Sequence, residues 1–463
     1  MLVHLGLPDA VALRSGNSSQ TSVVIIPRGL AFLYLRREGL SHLSLKPAVR
    51  FSIKHSNCYN HATKQKEGYM DFSLTDEQKS RSREFYDACK ELSKKRPPSL
   101  VGFEAIYELD ECWEYNSYCA KEFAKKGWLA LGWSPKYGGS GDMMDRVLFA
   151  EARGYYGTPG VDIFGVQMLA PTLLQAASEE IKRDFLPPIA RGEVMWCELW
   201  SEPNAGSDLA TLAATAVKKG DEYVINGQKT WTTGAHRADW GFGVFKTDPT
   251  ARKHHNMTFL LFDMRTPGIT IRPIPYLDGS APYCEVYFDD VRVPAKNIVG
   301  QEHEGWAVVN LLAGFERSGI NEIMNMMRGL EQLVAFCNET KRHGQPLAKD
   351  PLVRNRLAQL ACELEAARAL AYRVADLQNR NEMSLMDASA SKIFFSELGE
   401  RFAFVATDIL GPYGQVRTSR WAPLNGIWEK MFHEHFITTI SMGTNEIQRN
   451  IIAWYGLGLP RMR

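Results

Sequence analysis

WCELWSEPNAGSD, residues 196–208, and INGQKTWTT, residues 225–233, are the two ends of the stretch that decides the fold of this chain. Small residues dominate the loop Ser201–Asp208, so a ligand can approach its backbone N–H groups closely. The second segment alternates like a β-strand and adds an indole and two hydroxyls beside that loop. Together they predict a surface suited to a flat cofactor with a phosphate tail. By composition alone, an ordinary turn between two strands is an equally good interpretation.

The bulk properties indicate a large globular chain without nucleic-acid or membrane features. It has 463 residues and a net charge of +1, so we expect about three domains, or two large ones. The balanced charge gives no electrostatic support to a nucleic-acid partner. No apolar run of about 18 residues suggests an integral membrane segment. The eight cysteines lack CxxC or Cys/His metal spacing, so we expect buried free thiols and no metal site. No GxGxxG follows a strand, so a Rossmann site has no support.

Residues 1–69 differ from the rest of the chain. They hold nine Lys or Arg against three Asp or Glu, a net charge of +6, and show no sustained helical or strand period. An Arg- and Ser-rich, acid-poor segment is typical of an organellar transit peptide, which would predict a mitochondrial location. The alternative, which we favour, is that the native chain begins at Met70 and is cytoplasmic. Either way, we expect residues 1–69 to be disordered or not native.

The periodicity changes twice along the remaining chain. Apolar residues at helical spacing give way to short alternating segments and then to helical spacing again. We therefore predict an α+β fold with a helical N-terminal domain, a small central β-barrel and a C-terminal four-helix bundle. The predicted boundaries are 70–193, 194–303 and 304–463. Two local predictions are specific: Asn226-Gly227 forms a turn between two strands, and Trp306–Thr340 is one long helix.

Five motifs occur in the order found in one enzyme family. They are MDFSLTDEQ from Met70, SEPNAGSD from Ser201, NGQKTWTTGAHRADW from Asn226, EVYFDDVRVP from Glu285 and GTNEIQRNII from Gly443. From about Met70 to the C-terminus the chain resembles the acyl-CoA dehydrogenase family. The resemblance implies an FAD-dependent enzyme of fatty acid and lipid degradation. Such an enzyme oxidises the Cα–Cβ bond of an acyl-CoA thioester: a carboxylate removes the α-proton and flavin N5 accepts the β-hydride.

The catalytic base is displaced from its usual position. Most family members carry a Glu immediately before the Gly-Thr of the last motif, where this chain has Met442. A minority of the family places the base on the first long helix of the C-terminal bundle, directly before an arginine. That position is Glu316 here, followed by Arg317. The resemblance therefore implies Glu316 as the base and Arg317 as a residue near the acyl-CoA. A helix-surface location is the alternative for both.

The resemblance also assigns contacts to the cofactor and the thioester. The backbone N–H of Met442 would help to polarise the thioester carbonyl, and Ser207 would lie near both the flavin pyrophosphate and the CoA chain. Glu446 is equally well explained as a carboxylate at a helix start. The implied flavin-binding residues are Trp200, Ser201, Ser207, Trp231, Thr233, Thr444 and Glu446.

The chain departs from the family where a neighbouring subunit's flavin is usually contacted. An arginine, a phenylalanine and a glutamine of many homotetrameric members are replaced by Thr340, His343 and Pro351, and a Gln-then-Gly-Gly motif by Asp408, Gly411 and Pro412. The charge-assisted bond from that arginine to the pyrophosphate is thus missing at its usual place. Either a homo-oligomer holds the pyrophosphate differently, or the chain is one subunit of a heteromeric dehydrogenase. An acyl-CoA oxidase and a non-catalytic partner subunit are further alternatives. For a dehydrogenase, an electron-transfer flavoprotein or a similar acceptor is expected.

Overall fold

The chain divides into two units, residues 1–75 and 76–463. The computed structural model describes residues 74–314, 319–380, 382 and 384–461, and the strands Leu2–Val3, Ala10–Ser15 and Ser22–Pro27. These three strands form an antiparallel sheet in the first unit. The sequence shows no sustained strand period there, yet these segments form strands; that residues 1–69 are disordered or not native stays a prediction. The β-branched run Val23–Ile26 favours a strand.

Helices build the first part of the second unit. They are α1 (Asp76–Ser93), α2 (Asp110–Lys125), α3 (Met143–Tyr156), α4 (Ala170–Ala176) and α5 (Glu179–Ala190). Their core is aromatic: the rings of Phe85 and Trp128 lie 4.8 Å apart, as do those of Phe123 and Phe149. A π-helical segment, Ile163–Leu169, leads into α4, whereas the helical spacing of apolar residues over Phe164–Ala177 predicts one continuous α-helix. Helix α3 supplies part of the wall of a central cavity.

An eight-stranded sheet follows, where the sequence predicts a small β-barrel. Its strands are β1 (Trp196–Leu199), β2 (Thr215–Lys219), β3 (Glu222–Thr233), β4 (Trp240–Lys246), β5 (Met257–Asp263), β6 (Ile269–Ile274), β7 (Tyr283–Pro294) and β8 (Ile298–Val299). The order is β8-β5-β4-β2-β3-β7-β6, and β1 pairs in parallel with β4. Phe245, Phe262 and Phe288 pack edge to face in its core.

The predicted turn at Asn226-Gly227 is wrong, because both residues lie inside the continuous strand β3. Asn226 Nδ2 donates to Asp290 Oδ1 at 3.0 Å, and Asp290 N donates to Asn226 Oδ1 at 2.9 Å. These bonds hold a bulge in the partner strand β7, where the register shifts between Phe288 and Val291. Gly227 has a φ of +135°, and a Cβ there would lie 2.7 Å from Ala214 Cα. Glycine is therefore needed for a close approach inside a strand rather than for a turn.

The C-terminal part is helical again. It contains α6 (Gly305–Ala313), α7 (Ile320–Glu339), α8 (Pro351–Asn379), α9 (Leu385–Leu410), α10 (Ile427–Ile440) and α11 (Asn445–Ile451). The four long helices α7–α10 pack together as the bundle. The predicted single helix Trp306–Thr340 is instead divided between α6 and α7. Gly319, at a φ of +62° and against the ring of Phe395, precedes α7, and a left-handed residue there cannot continue a helix.

None of the helices in the described part of the chain combines the length and apolarity needed to cross a bilayer. Six of the seven described cysteines are buried free thiols, and the seventh, Cys362, is exposed.

Candidate functional site

The small-residue loop and strand β3 are joined by direct contacts. Thr230 N donates to the carbonyl of Ser201 at 2.8 Å, and Lys229 Nζ donates to the carbonyl of Trp200 at 3.1 Å. The fold thus brings together the two segments that the sequence assigns to one cofactor surface. The start of the loop is fixed by the strand that carries Trp231.

A buried ion pair stabilises the contact between this loop and strand β3. Lys229 Nζ lies 2.9 Å from Glu202 Oε1 and also donates to the carbonyl of Val244 at 2.9 Å. Glu202 in turn accepts hydrogen bonds from the backbone N–H groups of Ala213 and Ala214. Burial lowers the pKa of Lys229, and the carboxylate of Glu202 opposes that shift. Both residues lie inside the family motifs, yet no sequence pattern indicates that they meet, because their pairing depends on the sheet.

Trp231 lies at a second β-bulge in the pairing of β3 with β7. Thr232 pairs with Cys284 and Lys229 with Val286, so Thr230 and Trp231 together face one residue of β7. Such bulges redirect side chains. Trp231 has a φ of +61° and its side chain is 52% exposed. A bulky residue in this region costs about 1–3 kcal/mol, and such outliers cluster at functional sites. The indole is therefore held at the surface by a strained backbone.

The other middle-domain candidates differ in their exposure. Trp200 packs edge-on against Phe242 and Phe259, with ring centroids 5.7 and 5.5 Å away. Ser201 and Thr233 are half-buried, whereas Ser207 is exposed. A Cβ placed on Gly206, the residue before Ser207, would meet nothing within 4 Å. An exposed indole beside an open, small-residue loop fits a planar flavin with a phosphate tail.

The C-terminal candidates form a separate group at the start of α11. The Thr444 hydroxyl accepts from Ile447 N at 3.2 Å and caps the helix. Glu446 is exposed in its first turn, where hydrogen bonds from its own backbone N–H and from Thr444 lower its pKa. These are the contacts of a helix start, which is the alternative interpretation of Glu446. No described contact joins Thr444 or Glu446 to the loop and strand.

Met442 lies on the wall of a cavity between the N-terminal helices and the bundle. This central cavity has a volume of about 240 Å³, and its lining includes Arg96, Tyr107, Arg153, Gly319, Met431 and Met442. Met442 has a φ of +57°, and its carbonyl accepts from Gln448 Nε2 at 2.7 Å. Among the described residues, none accepts a hydrogen bond from the Met442 N–H. No described residue therefore competes with a ligand for that donor.

Glu316 and Arg317 lie outside the described residues. The chain is described again from Gly319, which lines the central cavity together with Met442. The expected base is thus three residues from the cavity wall in sequence.

Several charged residues of the cavity wall are not among the site residues that the sequence predicts. They are Arg96, Arg153, Glu322 and Arg328. One signal is readable for Arg153: it follows Phe149 by four residues, on the face of α3 that carries buried apolar side chains. A charge at an apolar position of a helix is unusual enough to mark a candidate. The other three carry no such signal.

The family's subunit-crossing arm has different contacts here. His343 adopts a φ of +51° in the turn between the short strands Lys341–Arg342 and Gln345–Pro346. Arg342 donates to the carbonyl of Ile409 at 3.1 Å. Asp408 forms an ion pair with Arg356. The one arginine of this turn is therefore engaged within its own chain.

Comparison with known proteins identifies the class. Three family descriptions match in sequence: "Acyl-CoA dehydrogenase, N-terminal domain" over residues 84–193, "middle domain" over 197–291 and "C-terminal domain" over 303–455. The chain belongs to the acyl-CoA dehydrogenase family, a family of oxidoreductases that is generally FAD-dependent. The predicted fold class and enzyme class are confirmed.

Individual relatives support this identification. The chain is 35% identical over 355 residues to acyl-CoA dehydrogenase IpdE1 of Mycobacterium tuberculosis, covering 76% of this chain and 90% of the relative. It resembles a chain of the ChsE4-ChsE5 complex from Mycobacterium tuberculosis, with a TM-score of 0.76, 33% identity and coverage of 85% and 100%. It also resembles a chain of the Tcur3481-Tcur3483 steroid ACAD, with a TM-score of 0.76, 29% identity and coverage of 85% and 100%.

Proposed function

We propose that this chain is an FAD-dependent dehydrogenase that oxidises the Cα–Cβ bond of an acyl-CoA thioester, with Glu316 removing the α-proton. The observation that carries the proposal is the central cavity, which is lined both by Met442 and by Gly319. A thioester near Met442 would therefore lie close to the segment that contains Glu316. Methionine has no basic group, so position 442 itself cannot accept the proton.

The residues that would hold the flavin fit it. Trp231 and Trp200 offer aromatic surface, and Ser201, Ser207 and Thr233 offer hydroxyls beside an open loop. When bound, FAD supplies the acceptor for the β-hydride. Thr444 and Glu446 stay weaker candidates, because their described contacts belong to the helix start.

The thioester itself would be polarised by a backbone donor. The Met442 N–H has no acceptor among the described residues, and the left-handed backbone there is held by Gln448. A fixed N–H directed at a carbonyl oxygen stabilises the charge that develops as the α-proton leaves. Because the donor belongs to the main chain, it survives the exchange of Glu for Met at this position. Arg317 would lie near the acyl-CoA.

Paired substitutions test the base. Glu316→Gln should fold, retain flavin absorbance and lose about 10²–10⁴ in turnover with acyl-CoA and an artificial electron acceptor. Glu322→Gln is the matched comparison, because Glu322 is the one carboxylate among the described residues that line the cavity. A larger loss in Glu322→Gln than in Glu316→Gln would transfer the role of base to Glu322. Near-normal turnover in both would reject a carboxylate base at either position.

We infer further that the chain works as one subunit of a heteromeric dehydrogenase. The family's crossing arginine is Thr340 here, and Arg342 is bound to Ile409 within the chain. Beyond this region, Phe404, Tyr413 and Trp421 expose 57, 54 and 58% of their surfaces. Exposed aromatic side chains in one segment are typical of a protein interface. One structural relative is also part of a complex of two different chains, ChsE4-ChsE5.

Purification of the chain alone tests this inference. We expect a preparation with substoichiometric FAD, measured as the ratio of flavin to protein absorbance after gel filtration. Co-expression with a second acyl-CoA dehydrogenase chain from the same source should restore full occupancy. Stoichiometric FAD in a homo-oligomer of this chain alone would show that no partner is needed.

A further inference from the structure

The wall of the central cavity carries more positive than negative charge. Its described lining includes three arginines, Arg96, Arg153 and Arg328, and one carboxylate, Glu322. Pockets that bind hydrocarbon chains are lined mainly by apolar side chains. The excess of arginine in this cavity therefore needs a ligand-based explanation.

Arg153 is the most informative of these residues. It is 6% exposed, and it forms no ion pair or side-chain hydrogen bond with any residue that the structure describes. Its guanidinium lies over the ring of Phe149 at 5.3 Å, and its buried Nε has no partner. Burial lowers its pKa to about 10, so it stays charged near neutral pH. A buried cation is normally paired, because burial without an ion-pair partner is strongly unfavourable.

Arg96 and Arg328 add to the positive potential. Arg328 donates to Asn325 Oδ1 and Arg96 to the carbonyl of Leu100, and both acceptors are neutral. Among the described residues, neither arginine has a carboxylate partner. Burial, and then the neighbouring charge of Arg96, lower the pKa of Arg328 to about 10. Neighbouring like charges oppose each other unless an anion lies between or beside them.

Glu322 balances these charges only in part. It attracts Arg153, but no described ion pair joins the two side chains, and burial, the largest effect, raises the pKa of Glu322. The neutral form of a carboxylic acid is thereby favoured, which reduces its ability to neutralise an arginine. The described part of the cavity wall thus keeps more positive than negative charge.

We propose that the acyl group of the substrate carries a second acidic group, a carboxylate remote from the thioester, which Arg153 binds with the help of Arg96 and Arg328. This inference rests on the proposed acyl-CoA dehydrogenase function and narrows its substrate class. An arginine fork matches a carboxylate with two parallel hydrogen bonds. A purely hydrocarbon acyl chain would fill the same cavity and leave the arginines unpaired.

Matched thioesters test the proposal on the flavin-loaded enzyme. The pairs are glutaryl- and valeryl-CoA, adipoyl- and hexanoyl-CoA, and suberoyl- and octanoyl-CoA, assayed with an artificial electron acceptor. For at least one pair we expect the dicarboxylic thioester to have a kcat/KM about 10- to 100-fold higher. Arg153→Met should remove most of that preference. Arg368→Met is the control: Arg368 pairs with the buried Glu151, so this variant should keep the preference.

A stability measurement separates binding from a structural role. In the ligand-free protein, Arg153→Met removes an uncompensated buried charge and should raise the melting temperature. Arg368→Met leaves Glu151 buried without its arginine partner and should lower the melting temperature. A fall in melting temperature for Arg153→Met, or a preference for monocarboxylic thioesters throughout, would overturn the proposal. If no thioester of either kind is oxidised, the proposed function fails as well, whereas equal turnover of both kinds rejects only the second acidic group.

Discussion

Removing the ammonium of Lys229 should destabilise the central sheet and loosen the loop Ser201–Asp208, which is proposed to bind the flavin. In Lys229→Met, Glu202 loses the cation 2.9 Å away but keeps its two backbone donors, Ala213 N and Ala214 N. The carbonyls of Trp200 and Val244 lose their bonds to Nζ as well. Removing one partner of a buried ion pair lowers the free energy of unfolding by about 3–5 kcal/mol. At about 2–4 °C per kcal/mol, the melting temperature should fall by about 6–20 °C.

The assay combines thermal melting with flavin content after gel filtration. Lys229 donates a hydrogen bond to the carbonyl of Trp200, the residue directly before the loop. FAD retention should therefore fall together with stability. Lys296→Met is the matched control: Lys296 pairs with Glu180 at 3.4 Å, but both side chains are more than half exposed. An exposed pair contributes about 0–1 kcal/mol, so little change is expected there.

A double variant isolates the charge. Adding Glu202→Gln to Lys229→Met removes the uncompensated carboxylate, and replacement of a whole buried pair by neutral groups is often close to neutral. The double variant should therefore be more stable than Lys229→Met alone. If Lys229→Met behaves like Lys296→Met, the pair does not hold the loop and the reasoning is wrong.

Two further predictions address the base and the pH response. In a Glu316→Ala background, Met442→Glu should restore part of the lost turnover, because it returns a carboxylate to the cavity wall; no recovery at any pH would count against the exchange of positions. Burial lowers the pKa of His435 to about 4 from 6.5, so the unfolded chain binds the extra proton first and stability falls as pH drops below 6.5. Between pH 7.5 and 5 this protonation lowers the free energy of unfolding by about 2 kcal/mol. In urea denaturation, His435→Leu should not show this loss. An equal pH dependence in both proteins would contradict the prediction.

Local patterns with strong signals are predictable from the sequence. The alternation over Trp240–Lys246 predicts strand β4 and the apolar stripe over Pro351–Asn379 predicts helix α8, and both elements occupy those residues. In α8, Asp350 caps the helix and Pro351 occupies its first position, which is a readable start signal. Helix α10, Ile427–Ile440, is not among the elements that the sequence predicts.

Two wrong predictions share one cause, a contact with a residue distant in sequence. Asn226-Gly227 has the composition of a hairpin turn, but its bonds to Asp290 and its approach to Ala214 keep it inside a strand. The break before α7 depends on Gly319 facing Phe395. Neither partner can be inferred from neighbouring residues, because each pairing is created by the packed fold.

The candidate site shows the same difference between features that local sequence predicts and features that depend on the packed fold. The family motifs locate Trp231 and the loop, since these residues are close in sequence to their neighbours. That Trp231 is exposed at a bulge follows from the register between β3 and β7. Whether Glu316 is the base stays a prediction, carried by its sequence position and by the cavity that Gly319 and Met442 share.

Two buried cations show how charge can serve structure in one place and recognition in another. Lys229 has a carboxylate at 2.9 Å and two carbonyl acceptors, so its burial is already compensated in the ligand-free protein. Arg153 is buried to a similar degree, but among the described residues it has a ring contact with Phe149 and no ion pair. The first arrangement rigidifies the loop before any ligand binds. The second leaves a charge without an ion pair among the described residues, which an anionic ligand would relieve, so binding energy and selectivity would come from the same group. A hydrocarbon chain gains nothing from that group, which is why the two thioesters of each pair should differ.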